Sequence, residues 1–263
     1  MTKRRTLPTR SFGAEPGVPD IHELAAWVAG HRGKSGDLIS YQLDQSVAPQ
    51  VSAGITVPCA GGKFYQDRII ACLAGIQDSK AVDEISVSDT AVIDDAVRIV
   101  AQKKGIWCAL PAPHALGIAD SYYHDHDEWS NAISGAYRSL MRSMRDAGIA
   151  GHVLICDQCD DAELSALSRQ KVFFFQPIQD RESLEILMEY QRKIAVSPSS
   201  LDTVFDIASE YDLHQIIIQD ADEESIARAL SLLDPDQVVV GGYCTGECEK
   251  YWSSVVESAG YNV

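Results

Sequence analysis

Several side chains able to carry chemistry fall directly after short apolar runs. Asp157 follows Gly151–Cys156 (GHVLIC), Asp220 follows His214–Gln219 (HQIIIQ), and His114 follows Gly105–Pro113 (GIWCALPAP). A carboxylate or imidazole at a strand end can act as a general acid or base, orient a cationic substrate or help hold a divalent cation. Asp157, Asp220 and His114 are therefore the candidate catalytic residues. An aspartate in such a place can equally cap the following helix. For Asp89, before Thr90-Ala91-Val92, capping is the expected role. Two glycine-rich segments, Gly61-Gly62-Lys63 and Gly241-Gly242-Tyr243, form the candidate substrate-binding set. Glycines let backbone N–H groups approach an anion, and Lys63 adds a point charge. Simple chain turning is the alternative reading of both segments. Cys59, Cys244 and Cys248 lie at strand ends or in loops, where thiolates could hold zinc or another divalent metal with one position open to substrate. The alternative is free thiols. His124 and His126, set among carboxylates, are further possible ligands, with helix capping by Asp125 or Asp127 as the competing reading.

The elements that position these residues show as a repeat. Apolar runs centred on Val172, Ile194, Ile216 and Val238 are spaced 22 residues apart. Continuous Val, Ile and Phe runs suit strands buried on both faces, and a parallel neighbour requires a crossover helix. Four further runs, Ala53–Pro58, Glu84–Asp89, Gly105–Pro111 and Gly151–Asp157, each precede a segment of helical pattern. Eight such units predict an α/β fold, a closed (β/α)8 TIM barrel. No glycine fingerprint of an open doubly wound sheet is present. The expected organisation is an N-terminal extension over residues 1–50, an irregular arm to about Asp20 followed by a capping helix, then the barrel over 51–263. Closure would make the first and last units neighbours, so that Cys59 and Cys244 share one mouth.

The formal charge of −16 argues against nucleic acid and against anionic membrane as partners, since phosphate repulsion would oppose both. No run approaches a membrane span and no apolar segment follows the basic Thr2–Arg10, so a cytoplasmic location with seven free cysteines is expected.

One segment carries a family resemblance. From Ala109 to Gln158 a Pro-containing strand end (PAPHAL) leads into a Tyr-containing loop and a long helix ending Met144-Arg145-Asp146-Ala147-Gly148. The next strand ends Ile155-Cys156-Asp157-Gln158. This resembles the uroporphyrinogen decarboxylase and cobalamin-independent methionine synthase superfamily. The resemblance implies a barrel acting on tetrapyrroles or moving methyl groups to a zinc-bound thiol, with Asp157 matching the family's strand-end aspartate. A His-x-Cys pair is absent from the later strands, so zinc chemistry is not carried over by residue.

The expected function is an enzyme acting on a small acidic metabolite or cofactor precursor at the barrel's C-terminal face, methyltransferase-like in type. A phosphate-gripping lyase or isomerase and a non-catalytic barrel that binds a ligand or partner are the alternatives.

Overall fold

The computed structural model describes residues 4–31, 36–88, 90–168 and 171–262. The chain begins with β1 (Arg4–Thr6), β2 (Thr9–Ala14), α1 (Ile21–Gly30), α2 (Leu38–Ala53), β3 (Cys59–Gly61) and α3 (Gln66–Ala71). It continues through β4 (Leu73–Gln77), β5 (Lys80–Val87), α4 (Ala91–Gln102), β6 (Trp107–Pro111), β7 (Ala119–Asp120), α5 (His126–Asp146) and β8 (His152–Ile155). The last part holds α6 (Asp161–Leu167), β9 (Val172–Phe175), α7 (Arg181–Tyr190), β10 (Lys193–Val196), α8 (Leu201–Ile207), β11 (Gln215–Gln219), α9 (Glu223–Leu230), β12 (Val238–Cys244), α10 (Cys248–Ser258) and β13 (Gly260–Asn262).

Eight strands form two parallel sheets, ordered β10-β11-β12-β2 and β3-β6-β8-β9. A bridge between Arg10 and Val57 joins them, with Ser11 N donating to Val57 O at 3.0 Å and Val57 N to Thr9 O at 2.9 Å. The 22-residue repeat is kept in the register: Ile194 pairs with Ile216, and Ile216 with Val238. Between β9 and β10 a side chain substitutes for ladder pairing. Gln191 Oε1 accepts from Phe174 N at 2.9 Å and its Nε2 donates to Phe174 O at 3.0 Å.

The strands are buried on both faces. Phe12, Cys59, Ala109, Val153, Phe173, Ala195, Ile217 and Val239, one from each of the eight, belong to one apolar cluster. The alternate residues, such as Ala60, Leu110, Leu154, Phe174, Ile216 and Val240, join the larger cluster with the helices. Period-two alternation thus divides each strand between two cores.

Three expectations are corrected. The irregular arm to Asp20 is instead β1 and β2, and β2 is entirely buried as a strand of the parallel sheet. Its sequence, TRSFGA, has only Phe12 as a large apolar residue, so no apolar run marks it. The strand expected at Glu84–Asp89 lies outside the parallel sheets. Residues 80–87 form β5, antiparallel to β4 through a two-residue turn, with β7 on the other edge. Asp78 and Ser79 both take positive φ, +48° and +57°, as a type I′ hairpin requires. Asp89 lies outside the described residues. The strand expected at Ala53–Pro58 starts later, at Cys59, because α2 runs on to Ala53 and Gly54 caps it in the left-handed region.

β2 therefore stands between β12 and β3, so the first and last expected units are not direct neighbours. Among the described residues six helices are N-capped by aspartate, at Asp20, Asp37, Asp125, Asp160, Asp180 and Asp222. Part of the acidic excess is thus helix-starting chemistry, each cap contributing about 1 kcal/mol.

Candidate active site at the strand carboxyl ends

The carboxyl ends of β2, β3, β6, β8 and β12 are tied by one run of polar contacts. Glu15, directly after β2, accepts on Oε1 from Tyr243 Oη and Lys63 N, and on Oε2 from Phe64 N at 3.3 Å. Lys63 N also points at Tyr243 Oη, 3.2 Å away. Lys63 Nζ donates to Asp157 Oδ1 at 2.7 Å. Asp157 N in turn donates to His114 Nε2 at 3.3 Å, and His114 Nδ1 lies 2.7 Å from Glu163 Oε2. Lys63, His114, Asp157 and Tyr243 are thereby brought together, joined by Glu15 and Glu163.

Local sequence explains the placement. Gly61 has φ of +81° and its missing Cβ leaves room for the Ala109 carbonyl. A Cβ on Gly62 would strike the Ala14 carbonyl and Glu15. These two glycines let the β3 end press against β2 and β6, which delivers Lys63 to the rim. Behind Lys63, Tyr65 Oη and Arg68 Nε donate to the buried Asp95 at 2.9 and 2.8 Å, pinning the turn onto α4. His114 sits in a single 3-10 turn, Pro113–Leu116, closed by Gly117 in the left-handed region.

The anion position anticipated at Gly61-Gly62-Lys63 is filled from within. The N–H groups of Lys63 and Phe64 receive the Glu15 carboxylate, and Gly61 N donates to Ser46 Oγ at 3.0 Å. Gly241 is a packing position: a Cβ there would meet Ile217, the Arg10 carbonyl and Phe12. Gly242 makes space for Tyr251, whose Oη donates to Asp220 Oδ1 at 2.5 Å. Asp220 and Tyr251 form a second polar pair beside Tyr243.

The electrostatics follow from burial and partners. Burial opposes protonation of His114, but the hydrogen bond and charge of Glu163, with Asp160 and Asp157 adding to them, outweigh it and raise its pKa. Burial raises the Tyr243 phenol, and the neighbouring Glu15 carboxylate raises it further. Tyr251 is raised by burial and then by Asp220. Both phenols are protonated donors at neutral pH. Replacing Glu163 by Gln removes the main raising influence while burial persists. The His114 pKa, followed by NMR of the ring protons, should then fall relative to wild type, whereas an unchanged titration would break the assigned contact.

The cysteines do not assemble as expected. Cys59 is fully buried in the inner cluster, and burial raises its thiol pKa well above the ordinary value. Cys244 and Cys248 belong to the helix-side cluster, their sulfurs 2.7 Å apart, and that contact lowers Cys244 and raises Cys248. Among the described residues no three or more His, Cys, Asp or Glu are grouped so as to hold a metal ion. Cys59, Cys244 and Cys248 therefore do not fit a zinc site, because β2 and the inner core separate the first from the other two. Asp125 is the N-cap of α5, accepting from Glu128 N at 2.9 Å, which bears out the capping reading of that loop. Among the described residues no helix is long and apolar enough to cross a membrane.

Sequence reasoning missed Glu15, Glu163 and Tyr251. Glu15 was lost with its strand. Glu163 carried a signal, three residues after the Asp160 cap at a helix start. Tyr251 lies within α10, where nothing in the local sequence marks it.

No family model and no curated protein matches the chain. Solved structures do. A putative vitamin B12-independent methionine synthase from Listeria monocytogenes shares 15% identity, with a TM-score of 0.64 over 91% of this chain and 92% of that one. A B12-independent methionine synthase from Shewanella sp. W3-18-1, in complex with selenomethionine, shares 15% identity with a TM-score of 0.61, over 97% and 96%. A methyltransferase from Methanosarcina mazei shares 10% identity with a TM-score of 0.60, over 97% and 93%. The resemblance first visible between Ala109 and Gln158 thus extends, as a fold, along nearly the whole chain: it is built like the cobalamin-independent methionine synthase-like proteins.

Proposed function

We propose that the two parallel sheets close into a (β/α)8 barrel and that the chain is a methyltransferase-like enzyme acting on a small zwitterionic molecule at the strand carboxyl ends. The inner cluster drawn from all eight strands supports closure. The observation that carries the function is the Lys63–Asp157 pair. It joins the ends of two strands at 2.7 Å, with side-chain exposures of 48% and 58%. An exposed pair of this kind is worth only about 0–1 kcal/mol, so a ligand can exchange into it at little cost. An ammonium group takes the place of Lys63 on Asp157, and the freed Lys63 receives a carboxylate. The selenomethionine held by the Shewanella neighbour is a molecule of this charge pattern.

His114, oriented by Glu163, is the general acid or base. Tyr243 and Tyr251 give their single protons to Glu15 and Asp220, which leaves each phenol oxygen a lone pair to accept from a ligand ammonium. Gly61, Gly62, Gly241 and Gly242 supply the close approaches that position these groups. Cys59 lies in the inner cluster, apart from the Cys244–Cys248 pair, so these three thiols do not make a zinc site. The mutual satisfaction of Glu15, Lys63 and Asp157 favours a second reading, a barrel that binds such a ligand without turnover.

Isothermal titration with methionine and selenomethionine tests the site. Wild-type protein should bind at least one. Asp157→Asn should weaken binding about tenfold or more, as loss of a charged hydrogen-bond partner does. His114→Ala should bind comparably and lose methyl transfer; binding that is equally strong in Asp157→Asn and in wild type would remove the proposed site. Binding with no methyl transfer in the wild type would select the second reading.

A further inference from the structure

At the opposite, amino-terminal ends of the strands lies a cavity of about 590 Å³ that the proposed reaction does not use. Arg10 of β2 lines it, 6% exposed, with its guanidinium 4.3 Å from the Trp107 ring centroid and 4.6 Å from that of Phe173. Its Nε and Nη2 atoms are buried and have no hydrogen-bond partner among the described residues. Lys171, Arg192 and Lys193 line the same cavity, and among the described residues no acidic side chain lines it. Arg192 is paired with Asp212 at 3.1 Å, on the outer side. In a chain of formal charge −16, the gathering of Arg10, Lys171 and Lys193 around one cavity is out of keeping with the overall acidic balance.

We propose that this cavity is a binding site for a compact oxyanion, a ligand carrying a carboxylate or phosphate group that pairs with Arg10 and is closed in by Lys193 and Lys171. Burying an ionised group without a partner is costly, and the usual resolution is pairing. Deprotonation does not supply one here: burial lowers the Arg10 pKa only to about 10, so the guanidinium is charged at neutral pH. Arg10 and Lys193 line the same cavity, so one compact anion can meet both, and burial, then the charge of Arg10, lower the Lys193 pKa. The two rings flank the guanidinium and leave its Nε–Nη2 edge unpaired among the described residues, the edge with which arginine takes a planar or tetrahedral oxyanion in two-point contact. The site is separate from the strand carboxyl ends, and it stands whether or not the proposed transferase reading does.

The test uses the whole protein. Thermal unfolding and isothermal titration are run with sodium phosphate and with sodium succinate, against sodium chloride at matched ionic strength. Wild type should show a saturable rise in Tm with at least one oxyanion beyond that seen with chloride. Phosphate alone would assign the phosphate class and succinate alone the carboxylate class. Lys193→Gln, a rim substitution that leaves Arg10 in place, should weaken binding about tenfold, on the scale of one lost charged contact. Arg10→Met should abolish the saturable response. If Arg10→Met does not fold, Lys193→Gln and Lys171→Gln decide alone. Equal response in wild type and these variants, or no response beyond chloride in wild type, overturns the proposal.

Discussion

Replacing Gly61 by Ala should destabilise the protein by about 2–5 kcal/mol, a third or more of a typical domain's total. Two penalties combine. An L-residue held in the left-handed region costs about 1–2 kcal/mol, and Gly61 has φ of +81°. The added Cβ would press on the Ala109 carbonyl, its ladder partner in β6, and overpacking of this kind costs about 1–3 kcal/mol. Gly105 provides the control. Its φ is +79°, but nothing lies within 4 Å of the position a Cβ would take. Gly105→Ala should therefore carry only the backbone penalty, about 1–2 kcal/mol. Urea unfolding of both variants measures the difference, and equal losses would mean that the β3–β6 approach is not tight. The same variant bears on the site. Lys63 is two residues beyond Gly61, so a displaced β3 end moves Nζ from Asp157. Gly61→Ala should lose affinity for methionine while Gly105→Ala retains it.

The four later units were legible because each satisfies two constraints at once: a β-branched or aromatic run buried on both faces, and a spacing that returns the chain to register. The first strand was not legible for a reason that also concerns function. Thr9, Arg10 and Ser11 are polar residues buried in β2, and only surrounding structure makes that tolerable: Thr56 hydroxyl contacts for Thr9, and flanking rings for Arg10. Sequence pattern reports apolar burial and has no signal for a buried arginine. The β4–β5 hairpin was misread for the converse reason, since β5 has strand-forming residues but is buried only at Ala81 and Ile85, and sequence alone does not separate such a strand from one in the parallel sheets. Reading one strand too few at the start and one too many in the hairpin left the total at eight. It also put Cys59 beside Cys244, and from that adjacency came the metal site that the structure does not assemble. Two of the strand-end residues do come together: Asp157 N meets His114 Nε2 because β6 and β8 are neighbours, a relation that does not depend on how the chain begins.

His152 should make the protein lose stability as pH falls from neutrality, and removing it should flatten that loss. The ring lies in β8, fully buried, and neither nitrogen has a hydrogen-bond partner among the described residues. Burial, with Arg145 adding repulsion, lowers its pKa from 6.5 to about 3. In the unfolded chain the imidazole takes a proton near pH 6.5; in the folded protein it stays neutral until about pH 3. Between those values the unfolded state binds more protons, so stability declines with falling pH, by up to about 1.4 kcal/mol per unit. Over the two units from about 6.5 to about 4.5 the contribution approaches 2.7 kcal/mol. His114 acts in the opposite sense. Its raised pKa adds stability that is fully present below about 6.5 and lost as pH rises through the folded value. His152→Met keeps the volume, removes both unpartnered nitrogens and leaves His114 in place. Its stability from urea unfolding should match or exceed wild type at pH 7.5, and the two should diverge by roughly 2–3 kcal/mol by about pH 4.5. Parallel curves across that window would mean that His152 finds a proton or a partner in the folded state, and that β8 is open to solvent where the structure shows it closed.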